Sequence, residues 1–190
     1  MKVGVLALQG DVREHCRALE GAGATPVVVR YPHEIADVDG LVLPGGESTT
    51  IGKLLDRFGL LGPLVERAAA GMPVYGTCAG AILLARDIVG ADDAPHRIGL
   101  MDIEVRRNAY GRQVESFEAD VEVEPLGEPF RAVFIRAPVI ERVGTGVEVL
   151  ASYEEHPVLV RQGALLASTF HPEMTGDNRV HQLFLEVVKG

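Results

Sequence analysis

A cysteine framed by small residues stands near the middle of the 190-residue chain. Pro73-Val74-Tyr75 reads as a short buried strand, Gly76-Thr77-Cys78-Ala79-Gly80 as a Gly-x-Cys-x-Gly turn, and Ala81-Ile82-Leu83-Leu84-Ala85 as an apolar helix. That pattern is a nucleophile elbow carrying a thiol. Small neighbours permit the tight strand-to-helix turn, which lifts the side chain out of the sheet and sets it at the positive end of the helix. The thiolate is the reactive form of cysteine, and such a position favours it. Far downstream, Phe170-His171-Pro172-Glu173 supplies an imidazole and a carboxylate, the two groups needed to activate the thiol and to orient its base. Together Cys78, His171 and Glu173 predict a Cys-His-Glu hydrolase.

Plainer readings compete at each position. A free cysteine is most often a small buried hydrophobe, which suits Cys16; the glycine frame of Cys78 speaks against it there. His171 alone would carry little weight among six histidines. Pro172, however, disfavours a helical conformation at His171, so an extended His-Pro-Glu segment can hold Glu173 beside the ring, where a carboxylate selects the tautomer. Leu43-Pro44-Gly45-Gly46-Glu47-Ser48-Thr49-Thr50 places two glycines after a strand and a hydroxyl before a helix. Ser48 fits an N-cap, and the glycines fit an oxyanion hole, since they let a backbone N–H approach a developing negative charge. The Gly-Lys-Ser/Thr ending of a phosphate loop is missing.

The first half alternates strand and helix. Val3 to Leu8, Pro26 to Val29 and Gly40 to Leu43 read as strands; Asp11 to Ala22, with Val12, Cys16 and Leu19 on one face, reads as a helix. Ser48 opens a helix through Ile51, Leu54 and Leu55, and Leu60 to Ala70 is a further apolar stretch. Beyond Gly90, Asp92 to His96 reads as a loop. Leu100 to Arg106, Phe117 to Glu124, Ala132 to Ile135, Val147 to Ser152, Val158 to Val160 and Leu165 to Ser168 read as strands with little helix between them, hence antiparallel additions. Asp177 to Lys189 is an amphipathic helix with Val180, Leu183, Phe184, Val187 and Val188 inward. These elements predict an α/β fold, a flavodoxin-like three-layer sandwich with a mostly parallel central sheet and antiparallel additions in the second half.

Length favours a single domain over residues 1–190. A hydrophobic share of 47% with 24% charged residues argues against disorder, and a net charge of -9 argues against a nucleic-acid surface. Two cysteines make no disulfide framework, which fits a reducing cytoplasm. No apolar run approaches a membrane span. Met1 to Gly10 superficially resembles a signal peptide, but Asp11 and Arg13 follow at once, and a first sheet strand explains it better.

GVLALQG, LPGGEST, GTCAG, RNAYGRQ, FIRAP and FHPE, spread from Gly4 to Glu173, closely resemble the glutaminase subunits of two-subunit pyridoxal 5'-phosphate synthases. GTCAG and HPE alone point to triad-type glutamine amidotransferases of class I; GGEST, RNAYGRQ and FIRAP narrow the resemblance. It implies Cys78 as nucleophile, His171 as acid and base, and Glu173 as orienting carboxylate. It also places Gly45, Gly46, Glu47, Arg107, Ile135 and Arg136 around L-glutamine, with oxyanion donors from Gly46 and Ala79, and puts Gln9, Arg112 and Gln113 toward the ammonia exit or the partner. No metal or organic cofactor is implied. The implied partner is a (β/α)8-barrel synthase that uses ammonia to form pyridoxal 5'-phosphate. A glutaminase serving another synthesis, such as that of imidazole glycerol phosphate, a stand-alone γ-glutamyl peptidase and a non-catalytic flavodoxin-like interaction domain are the rival readings.

Overall fold

A computed structural model of the chain describes residues 1–90, 96–107 and 116–190. From the amino terminus the elements are β1 (Lys2–Leu6), α1 (Val12–Gly21), β2 (Thr25–Val29), α2 (Pro32–Ile35), β3 (Gly40–Leu43), α3 (Ser48–Arg57), α4 (Leu61–Ala69), β4 (Val74–Thr77) and α5 (Ala79–Leu84). The second half carries β5 (Ala85–Val89), β6 (Met101–Arg106), β7 (Ser116–Val121), β8 (Phe130–Ile135), β9 (Val139–Val143), β10 (Glu148–Tyr153), β11 (His156–Gln162), β12 (Leu165–Ser168) and α6 (Arg179–Lys189).

The short apolar runs become sheet because successive side chains point to opposite faces and both faces are covered. Leu41, Leu43, Val74, Leu165 and Ala167 face a core shared with Ile51 and Leu55 of α3, Leu64 of α4 and Leu83 of α5. Their alternating neighbours Val42, Tyr75 and Leu166 face a second core with Val3, Val5, Leu19 of α1, and Val180 and Phe184 of α6. The result is a seven-stranded sheet in the order β10-β11-β12-β4-β3-β1-β2 between two helical layers. Pairing is parallel from β2 through β1, β3 and β4 to β12, and antiparallel at β12–β11 and β11–β10. A three-stranded sheet, β5-β6-β9, and the antiparallel pair β7–β8 stand beside it. The predicted α/β sandwich with its mostly parallel sheet is the architecture observed.

Several local expectations need correction. β1 stops at Leu6 and not at Leu8, which is half-buried beyond it. The helix after the elbow lasts six residues, because β-branched Ile88 and Val89 are drawn into β5 by pairing with Val105 and Arg106; β5 and β9 were both absent from the sequence reading. β12, read as an antiparallel addition, lies within the main sheet parallel to β4. In α6 Val180, Phe184 and the half-buried Leu183 and Val188 pack on the core as expected, joined by the buried His181 and Leu185, which the expected face omitted. Of the expected loop Asp92 to His96, only His96 lies among the described residues.

Candidate active site

β4 ends at Thr77, α5 begins at Ala79, and Cys78 between them has φ +50° and ψ −103°. A non-glycine residue in that region carries strain on the order of 1–3 kcal/mol and persists only where its surroundings hold it. The surroundings here are close. A Cβ on Gly80 would run into the carbonyl oxygen of Leu43, and one on Gly76 would stand 2.5 Å from the carbonyl carbon of Gly80. The elbow therefore needs both glycines of its frame so that α5 can press against β3 and β4. From the other side, the Cys78 amide donates to the Ser168 carbonyl of β12 at 2.8 Å. The thiol points to the Ile135 carbonyl, 3.9 Å away.

β12 then delivers the imidazole. His171 follows it by three residues, its amide bonded to the Val133 carbonyl of β8 at 2.8 Å, with extended backbone at φ −106° and ψ 87°. Pro172 does not prolong that extension as the sequence suggested: Pro172–Met174 forms a single 3-10 turn. The turn brings Glu173 back under the ring, and His171 Nδ1 donates to Glu173 Oε1 at 2.7 Å. Both side chains are almost wholly buried. Gly45 closes the opposite side, since a Cβ there would lie 2.5 Å from His171 Cε1.

Burial pushes the His171 imidazole toward easier deprotonation, but hydrogen bonding and charge from Cys78 and Glu173 outweigh it and raise its pKa to about 10. For Glu173 burial works upward, yet His15 and then His171 hold the carboxyl far below its ordinary range. The pair is thus an imidazolium on a carboxylate over the neutral range. Asp11 Oδ2 lies 4.0 Å from His171 Nδ1, and Asp11, His171 and Glu173 bring oxygen and nitrogen atoms within 4.8 Å of one another. A cation among them would have to break the 2.7 Å hydrogen bond.

A cleft of about 510 Å³ opens over the thiol, lined by Gln9, Gly46, Glu47, Cys78, Arg107, Ile135, Arg136 and His171 among others. It brings together most of the residues singled out in the sequence. Gly45 stands behind His171, and Ala79 is buried as the first residue of α5. Arg112 and Gln113 lie outside the described residues. Arg136 has φ +44°, so two of the described non-glycine residues with positive φ line this cleft; the third, Glu154, sits in the β10–β11 turn. Strained backbone concentrated at one cleft is a mark of a working site.

Glu47, and not Ser48, caps α3. With its backbone extended, the Glu47 carboxylate accepts from the amides of Thr49 at 3.0 Å and Thr50 at 2.7 Å and from the Thr50 hydroxyl at 2.6 Å. Its own amide donates to Gln9 Oε1 at 2.9 Å, and Arg107 Nη2 reaches Glu47 Oε1 at 3.2 Å. Partial burial pushes the carboxyl up, but the Thr50 and Thr49 donors prevail and lower its pKa to about 2. A carboxyl depressed on folding stabilises above its ordinary pKa and loses that contribution as pH falls through the folded value. Glu47→Ala should therefore cost about 1 kcal/mol at neutral pH, the usual loss for a cap on a half-exposed side chain. Chemical denaturation of both proteins across pH 7 to pH 2 checks this. The difference should shrink as pH drops from 4.5 toward 2, and a gap unchanged by pH would show that the charge is not what caps the helix.

Two functional-looking residues escaped sequence reasoning. His15 of α1 and His181 of α6 are wholly buried, and they meet behind Glu173 with Nδ1 of His15 3.1 Å from Nε2 of His181. The available signal was periodicity: His15 falls on the Val12, Cys16 and Leu19 stripe, and His181 sits between Val180 and Phe184.

A solved structure described as a crystal structure of glutamine amidotransferase superposes with a TM-score of 0.94 at 53% identity, covering 99% of each chain. The pyridoxal 5'-phosphate synthase subunit PdxT of Frankia casuarinae is 64% identical over 189 residues, covering 99% of this chain and 95% of that protein. The subunit of the same name from Geobacillus kaustophilus is 57% identical, with 100% and 95% covered. Since these likenesses run nearly end to end and the family pattern matches residues 5–190, the chain belongs to the SNO glutamine amidotransferase family.

Proposed function

We propose that the chain, working as one glutaminase domain over residues 1–190, hydrolyses L-glutamine to L-glutamate and ammonia. The ammonia passes to a (β/α)8-barrel synthase subunit that builds pyridoxal 5'-phosphate, the active form of vitamin B6. The observation that carries this reading is one cleft holding the Cys78 elbow and His171, the latter bonded to Glu173 at 2.7 Å. The relatives' designation as pyridoxal 5'-phosphate synthase subunits supports the pathway.

In the reaction the Cys78 sulfur, its proton already held on the His171 imidazolium, attacks the side-chain carboxamide carbon. Backbone N–H groups of Gly46 and Ala79 hold the oxyanion, a donor of this kind being worth ~3 kcal/mol. His171 protonates the departing nitrogen, which leaves as ammonia, and a glutamyl thioester remains. Water attacks the thioester with His171 as base, releasing glutamate and restoring the sulfur beside the His171 imidazolium. Glu173 keeps the imidazole in one orientation throughout. At the far end of the substrate, Arg107 and Arg136 meet the α-carboxylate and Glu47 faces the α-ammonium, opposite charges set side by side for a zwitterion. Gly45 supports the His171 ring, and Ile135 presents its carbonyl beside the sulfur. Gln9 and, by the family resemblance, Arg112 and Gln113 stand toward the ammonia exit or the partner.

Ammonia in water is mostly protonated and poorly nucleophilic, so direct delivery to a partner gives the hydrolysis its purpose. No helix among the described residues is long and apolar enough to cross a membrane, and the free cysteines suit a reducing cytoplasm. The test is release of glutamate with and without the barrel subunit, using glutamine labelled at its amide nitrogen. Label should appear in pyridoxal 5'-phosphate, and glutamate release should rise by roughly tenfold or more when the barrel is present, as expected where a partner completes the productive site. Absence of glutamate release with the barrel present would overturn the reading.

A further inference from the structure

Two imidazoles sealed behind a carboxylate are a cost unless their ring nitrogens have a use. His15 and His181 are both 0% exposed. His15 Nε2 lies 3.4 Å from Glu173 Oε1 and 3.2 Å from Thr77 Oγ1. A bare lone pair there would face an anion, so Nε2 carries the proton and donates toward Thr77 and the carboxylate. His15 Nδ1 stands 3.1 Å from His181 Nε2, in hydrogen-bond contact. His181 Nδ1 is buried without a hydrogen-bond partner among the described residues. Burial, with His15 nearby, pushes the His181 pKa down to about 3, which keeps this ring neutral. The series runs from α6 through α1 to the oxygen that also receives His171 Nδ1–H.

We propose that His15, oriented by His181, is a positioning residue for glutamine hydrolysis: its Nε2–H anchors the Glu173 carboxylate so that Oε1 is presented to His171. The proposal rests on the assignment of Cys78, His171 and Glu173 as the triad. Glu173 needs an anchor of this kind because its second oxygen, Oε2, is buried without a hydrogen bond. The other polar contact that holds it is the 2.7 Å bond to His171 itself. The ionisable groups around it are His171 in its own segment, His15 on α1, His181 on α6 and Tyr75 on β4, with Asp11 reaching the His171 ring. Burial keeps the Tyr75 phenol protonated, so it brings no competing charge. His15 is therefore the sole donor from outside the triad that reaches the carboxylate among the described residues.

The test uses the full chain with the barrel subunit and compares His15→Gln, His15→Asn and His15→Phe by steady-state glutamate release across pH. A glutamine amide nitrogen reaches about where Nε2 stands, whereas asparagine is too short to reach Glu173. His15→Phe should lower kcat by about tenfold or more with KM within about twofold, the pattern of an effect on reaction and not on binding. Its acid limb should move to higher pH, because a carboxylate deprived of a donor is easier to protonate. His15→Gln should restore kcat to within about threefold of the parent, since one donor to a charged group is what it replaces. A folded His15→Phe with parental kcat and an unmoved acid limb would overturn the proposal. Should that variant fail to fold, the Gln and Asn variants decide: higher turnover and a parental acid limb in Gln alone support it, and equal behaviour overturns it. Cys78→Ala run alongside separates the two levels, because turnover that survives loss of the sulfur removes the triad itself, whatever His15 does.

Discussion

Cys78→Ala is expected to lower glutamine turnover by about 10⁴-fold or more, the scale on which removing a nucleophile disables a triad. The change deletes one sulfur from a buried site and adds nothing to the strained turn, whose geometry depends on Gly76, Gly80 and the Ser168 carbonyl. Stability should move by about 1 kcal/mol or less, the order expected for a single buried heavy atom. The variant should still bind glutamine, because in the proposed reading the charged end of the substrate is held by Arg107, Arg136 and Glu47 and not by the sulfur. Calorimetric titration with glutamine and a glutamate-release assay on the same preparation separate these effects. Turnover within tenfold of the parent, in protein free of other glutaminases, would contradict the covalent route.

The second large effect is expected at Glu173. Glu173→Gln preserves an acceptor for His171 Nδ1–H but removes the charge that steadies the imidazolium. We expect kcat to fall by about 10²- to 10³-fold, less than where an amide also selects the wrong tautomer, with KM changed by less than about threefold. Steady-state kinetics with saturating barrel subunit provide the measurement, and unchanged kcat with a weakened KM would count against an orienting role. The same variant has a signature in stability. The Glu173 carboxyl is depressed on folding, so its contribution is present above pH 4.5 and is lost progressively below it. The parent should weaken through that range more than Glu173→Gln does.

The features legible in the sequence were those fixed by a few adjacent residues. The elbow announces itself because glycine is needed on both sides of Cys78, and His-Pro-Glu because proline constrains His171. The parallel strands are legible because a buried strand must be short, apolar and rich in β-branched residues. What escaped depends on distant partners. Leu165 to Ser168 looks the same whether its neighbour is β11 alone or β11 and β4 together; the register with Val74 to Thr77 decides it. Ser48 has the better intrinsic capping preference, yet extended backbone at Glu47 lets its longer carboxylate reach two amides first. Taken alone, Arg107 and Arg136 are ordinary surface cations; the family resemblance is what puts them at the glutamine, and both line the cleft. His15 and His181 had the periodicity of core positions but no local hint of their common neighbour, Glu173.

The placement of β12 between β11 and β4 also sets the order in which the machinery can come into being. Tyr75 and Ser168 meet across this junction although they stand 93 positions apart in the chain, and the sulfur and the imidazole arrive on opposite sides of it. Contacts at such separation form late in folding, since the entropy of closing a long loop must be overcome before pairing offsets it. During synthesis the elbow leaves the ribosome well before β10 and β11 turn back to admit the last strand. Until then the sulfur has no imidazole beside it, so that in the proposed reading a half-folded chain lacks the means to hydrolyse glutamine.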